Sequence, residues 1–138
     1  MGDTKRQWVR SWLAKARSDL RSAAALAALA EPATDTAIYH CQQAAEKALK
    51  AYLAFRDQPL ERTHDLERLL ELAAALEPLF EPLETEAEVL NPYATAFRYP
   101  HSLDALFPSS AEVTAALQHA QAVYDFVLTQ VPAEAHPG

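Results

Sequence analysis

At 138 residues, half of them hydrophobic and only two of them Gly, the chain is one domain with room for a single core, and its Ala, Leu, Glu, Lys and Arg content is that of an all-helical protein. A formal charge of −7 argues against a general nucleic-acid coat protein and leaves no DNA partner to be expected, because neutralising phosphates needs surplus Lys and Arg. The lone Cys41 excludes an internal disulfide and a cysteine-rich zinc site and suits a reducing cytoplasm, and the longest apolar run, Ala23 to Ala30, is too short to span a bilayer.

The elements follow in chain order. Thr4 with Gln7 reads as a capping box, and Trp8, Trp12, Ala16, Leu20, Ala23, Leu26 and Ala27 recur at helical spacing, which predicts a helix from about Lys5 to Ala30. Trp8 and Trp12 stand among bases, where a signal peptide would need an apolar core. After "EPATD", Thr34 or Asp35 caps a second helix whose buried stripe is Ile38, Cys41, Ala45, Ala48, Leu49 and Tyr52, ending near Arg56. Thr63 is placed to cap a third helix packed through Leu66, Leu69, Leu70, Leu72, Ala73 and Leu76. A fourth starts around Leu83 and meets Asn91-Pro92, which either kinks it or divides it in two. "RYPHSLDALFP" reads as a loop, closed by the capping box Ser109-Ser110-Ala111-Glu112. The last helix turns Val113, Ala116, Leu117, Ala120, Val123, Tyr124, Val127 and Leu128 inward. The expected fold is all-α, an up-and-down four-helix bundle with an additional short helix, over residues 4–131, followed by a disordered tail at 132–138.

Charge is unevenly spread: residues 1–21 carry six bases against two acids, residues 61–90 nine acids against Arg62 and Arg68. The basic arm is either a solvated helix face or a contact for RNA or a partner. On the second helix Tyr39, Gln43, Glu46 and Lys50 fall in one strip while Gln42 leans into the apolar seam, where a side-chain amide must find partners or cost stability. Glu46 and Lys50 also make an ordinary i,i+4 pair. Asp19 shares the face of the first helix assigned to the core, so it must be paired, reach a cleft or titrate high. His40 and His119 are assigned to solvated flanks, His64 to local packing at a helix start, and His136 to the tail. No helix carries HxxxH or ExxH, so neither a metal nor another cofactor is expected. Arg98, Tyr99 and His101 lie together in "FRYPH", and an Arg to hold phosphate with a His to move a proton is the minimum equipment for cleaving RNA.

These blocks carry a resemblance. "WLAKARSDLRSA", "AIYHCQQAAEKALKAYL", "RTHDLERLL", "FRYP" and an amphipathic last helix, in that order, resemble the HEPN domain family over nearly the whole chain. The resemblance implies a helical bundle that forms homodimers, in a small type usually paired with a minimal nucleotidyltransferase in toxin–antitoxin-like or nucleotide-binding systems. Many HEPN proteins are metal-independent ribonucleases whose motif is Arg, four to six residues, then His; here only two residues separate Arg98 from His101. The preferred reading is therefore a cytoplasmic, non-catalytic module binding nucleotide or RNA in a polar cleft of Asp19, Tyr39, Gln42, Glu46, Lys50, His64, Arg98 and Tyr99. In that cleft Gln42 and Glu46, with Asp19, would anchor the second helix against the first helix and the Arg98 loop. The alternatives are a metal-independent endoribonuclease using Arg98 and His101, and a purely structural dimeric partner protein.

Overall fold

A computed structural model describes residues 1–96 and 107–138. The described chain forms α1 (Asp3–Ala27), α2 (Thr34–Phe55), α3 (Leu66–Leu76), a 3-10 segment (Pro78–Leu83), α4 (Glu84–Leu90), α5 (Tyr93–Ala96), α6 (Ser110–Gln130) and a final 3-10 turn (Ala133–Ala135). No strand occurs among the described residues, and the fold is the expected all-α bundle.

The centre of the bundle is α2. It packs along α1 and α6 and also meets α3, α4 and α5. The expected stripe is buried as read, but Ala37, Ala44, Ala51 and Leu53 are buried as well, so α2 is enclosed on most of its circumference. Its many alanines allow this, since small side chains let neighbouring helices approach closely. Cys41 is fully buried, and burial pushes its thiol up to about 12, so it behaves as a small apolar core group rather than a nucleophile.

Several boundaries differ from the sequence reading. The first helix begins one residue before Thr4, with Gly2 as a cap that offers no side chain, and Asp3 in the first turn pairs with Arg6. It stops at Ala27, and the Leu26 carbonyl accepts the Ala33 N–H at 3.2 Å as the chain turns. The buried face of α1 is Val9, Leu13, Ala16, Asp19, Leu20 and Ala23, centred one residue beyond Trp8. Trp8 is therefore not core but 47% exposed. Helix α2 starts at Thr34 behind Ala33, so neither Thr34 nor Asp35 is its cap.

The cap of α3 is Asp65 rather than Thr63. Its Oδ1 accepts the N–H groups of Glu67 and Arg68 at 3.0 and 3.3 Å, while Thr63 Oγ1 accepts the N–H of Asp65 at 3.1 Å. The choice is made by Asn91, which donates from Nδ2 to Asp65 Oδ1 at 3.0 Å and accepts the Leu66 N–H on Oδ1 at 2.8 Å. Asn91-Pro92 does divide the fourth helical stretch into α4 and α5. The break frees the Asn91 side chain to cap a different helix.

Ser109 caps α6 as expected, its Oγ accepting the Glu112 N–H at 3.1 Å. Along α6, Leu117 and Leu128 are half-buried instead of core. The tail expected to be disordered folds back on α1: Ala135 is fully buried, Arg10 donates to the Glu134 carbonyl, and Arg17 donates to Gly138 O at 2.8 Å. His136 Nε2 lies 2.9 Å from the carbonyl oxygens of Leu128 and Val131, so that nitrogen carries the proton and closes the end of α6. Arg10 and Arg17, read from the sequence as part of a solvated face or of a contact for RNA or a partner, thus donate to carbonyls of the tail.

Candidate functional site

The spacing of Gln42, Glu46 and Lys50 along α2 is that of a buried hydrogen-bonded ladder. Glu46 Oε2 accepts from Lys50 Nζ at 2.9 Å, and Oε1 accepts from Gln42 Nε2 at 3.3 Å. Gln42 Nε2 also donates to the His64 carbonyl at 3.0 Å. All three side chains are buried, with 8% of the Lys50 side chain and 5% of the Glu46 side chain exposed. Breaking this pair costs more than the few tenths of a kcal/mol of a surface i,i+4 pair, because it would leave a buried charge without its partner.

The ladder holds one more residue. His64 Nδ1 lies 2.9 Å from Glu46 Oε1, a bond in which the ionised carboxylate only accepts, so Nδ1 carries the proton and Nε2 is left for other partners. The His64 side chain is 51% exposed, so a buried carboxylate fixes the orientation of a ring that solvent reaches. The role read as local packing is thus a link between α2 and the segment ahead of α3.

His64 lines two grooves. One, of about 270 Å³, is bounded by Trp12, Lys50, Leu60, Glu61 and Arg62. The other, of about 350 Å³, includes Asp65, Asn91, Pro92 and Thr95. Thr95 is three residues ahead of Arg98 in the sequence. Glu61 is held by Arg68 at 3.1 Å, and Arg62 makes no ion pair with a described residue. Lys50 Nζ also lies 5.7 Å from the centroid of the Trp12 ring.

Asp19 belongs to a different group. It is buried, and its two oxygens accept from Lys47 Nζ at 2.7 Å and from His40 Nδ1 at 2.8 Å, tying α1 to α2. It shares no hydrogen-bond partner with Glu46 among the described residues, so the single cleft expected from Asp19, Gln42 and Glu46 is two separate polar clusters. His40 is correspondingly part of a cluster, not a solvated flank. His119 is likewise paired, its Nδ1 2.8 Å from Glu86 Oε2 across α4 and α6. Tyr39 accepts from Gln43 Nε2 at 3.0 Å, and its ring lies edge-on to that of His40.

Of the expected site residues the structure therefore brings together Gln42, Glu46, Lys50 and His64 in one hydrogen-bonded group, and Asp19 belongs to another. Arg98, Tyr99 and His101 lie outside the described residues. Sequence reasoning misses Trp12 and Arg62 as groove residues: helical spacing gives Trp12 to the core, and composition counts Arg62 only as a charge. No group of three or more His, Cys, Asp or Glu side chains placed to hold a metal ion occurs among the described residues. No described helix is long and apolar enough to cross a membrane.

A HEPN domain profile matches residues 9–130. The chain belongs to the HEPN domain family. Solved structures agree with this. The HEPN chain is 32% identical to TT1696 from Thermus thermophilus, with a TM-score of 0.77 over 91% of this chain and 99% of that one. It shares the fold of ST0689, described as an archaeal HEPN homologue, at 24% identity and a TM-score of 0.73 over 90% of this chain and 98% of the other. No curated protein matches the chain. Membership supports a nucleotide- or RNA-related helical module in general terms and agrees with the order of motifs along the sequence.

Proposed function

We propose that this HEPN protein is a non-catalytic module that binds a nucleotide or RNA end and acts as a cytoplasmic homodimer with a minimal nucleotidyltransferase partner, in a toxin–antitoxin-like pair. The observation that carries the reading is the buried Gln42–Glu46–Lys50 ladder, which orients a half-exposed His64 on a groove shared with Trp12 and Arg62. A ladder that only held helices together would not need a half-exposed ring at its end. The groove offers a guanidinium with no ion-pair partner among the described residues, an imidazole nitrogen and an aromatic wall, a set that suits phosphate and base together. The partner and the two-component arrangement rest on the resemblance of the small HEPN type, as does the dimer.

Thermal unfolding with a panel of ribonucleotides and short oligoribonucleotides tests it. Ligand at a hundredfold excess over Kd should stabilise the protein by about 2.7 kcal/mol, and Arg98→Ala should remove the shift. No shift with any member of the panel would overturn the reading. Cleavage of RNA in EDTA, lost in His101→Ala, would replace it by the ribonuclease alternative.

A further inference from the structure

Trp8 is large, apolar and 47% exposed, yet one side of it is held fast: its ring meets Trp12 edge-on, with centroids 5.3 Å apart at 69°. A shallow cleft next to Trp8 runs past Trp12, Lys50, Leu60 and Glu61, and these last four also border the groove that reaches Arg62 and His64. The surface from the indole of Trp8 to the guanidinium of Arg62 is therefore continuous. Its two ends differ in depth. The part beside Trp8 has only about 20 Å³ of space, too little for a base to enter, whereas the part at Arg62 has about 270 Å³. A planar ligand can only lie flat against the open indole, while a sugar and phosphate fit the deeper end.

Resting on the nucleotide-binding reading, we infer that Trp8 is a stacking platform for an unpaired nucleobase whose phosphate lies in the adjoining groove at Arg62, so that the site takes free nucleotides or single-stranded RNA and not duplex. Base–aromatic stacking tolerates any base, because each offers a π face, but a base paired inside a helix has none to offer. A phosphate there would meet Arg62, which has no carboxylate partner among the described residues, while Glu61 on the same groove is held by Arg68.

Fluorescence anisotropy with a short fluorescein-labelled single-stranded oligoribonucleotide tests this on the intact protein, with unlabelled single strand and duplex as competitors. Trp8→Ala should weaken binding about tenfold, and Trp8→Phe should restore most of it. Arg62→Gln should lower the dependence of log K on log salt by about 0.7, the share of one single-strand phosphate. The duplex should compete poorly. If wild type binds and Trp8→Ala binds equally well, stacking on Trp8 is wrong and the nucleotide reading survives. If wild type does not bind any ribonucleotide, the reading beneath it falls as well. If Trp8→Ala loses binding together with a change of oligomeric mass by light scattering, Trp8 belongs to a protein interface and the inference is overturned.

Discussion

Glu46→Ala should lower the unfolding free energy by about 3–5 kcal/mol in urea titration, the cost of leaving a buried charge without its partner. Three groups lose their acceptor at once: Lys50 Nζ, Gln42 Nε2 and His64 Nδ1. Gln42 keeps its bond to the His64 carbonyl, and its Oε1 already lacks a partner among the described residues, so the amide adds little to the loss. Lys50 contributes most, because only 8% of its side chain is exposed. Replacing the pair together, Glu46→Leu with Lys50→Met, should return most of the stability, since no charge is then left buried. The same double variant frees His64 from its carboxylate. Stability and nucleotide affinity should therefore separate: the double variant folds but binds poorly. A loss below about 1 kcal/mol for Glu46→Ala would mean that the ladder is open to water, as surface pairs are.

Phe80→Ala should cost about 3–5 kcal/mol and lower Tm by on the order of 15 °C. Phe80 is fully buried, although it belongs to a 3-10 segment with Pro at both Pro78 and Pro82. Its ring lies 4.4 Å from that of Tyr52 on α2 and 4.8 Å, nearly perpendicular, from that of Phe126 on α6. Such contacts add about 0.5–1.5 kcal/mol each to the area buried. The segment between α3 and α4 is therefore itself anchored in the core by this side chain, beside the direct packing of both helices. Phe80→Leu keeps most of the volume and should cost far less than Phe80→Ala. Small losses in both variants, read by calorimetry, would show that the Phe80 ring does not anchor the segment.

Phe80 also shows where reading the sequence stops. "EPLFEP" offers two prolines and two acids around one aromatic, and local rules make it an interruption. Only the rings of Tyr52 and Phe126, which lie far away along the chain, make it core. The buried stripe of α2, the break at Asn91-Pro92 and the Ser109 cap are legible because each depends on residues within a turn or two of itself. The cap of α3 is not, since Thr63 and Asp65 are both good caps and the contact that favours Asp65 comes from Asn91.

The same limit governs the polar residues. That Asp19 and Gln42 need partners follows from their helical angles, and the structure supplies them for both Asp19 oxygens and for Gln42 Nε2. Which partners they have depends on the neighbouring helix, and an angle about one axis does not tell which neighbour is met. Helical angles therefore merge Asp19 and Glu46 into one cleft although they serve different clusters. His40 and His119 read as solvated because their carboxylates, Asp19 and Glu86, are on other helices. Trp8 fails differently. One residue of drift in the centre of a stripe turns its ring from the core to the surface, about 100° on a helix.

The most direct measurement is a titration of the ¹⁵N-labelled protein with a ribonucleoside triphosphate, following the indole N–H signals of Trp8 and Trp12 and the ring of His64. The account predicts saturable shifts concentrated on these three side chains and on the backbone of Arg62. Saturable shifts confined to the outer face of α6, or none at millimolar ligand, would contradict it.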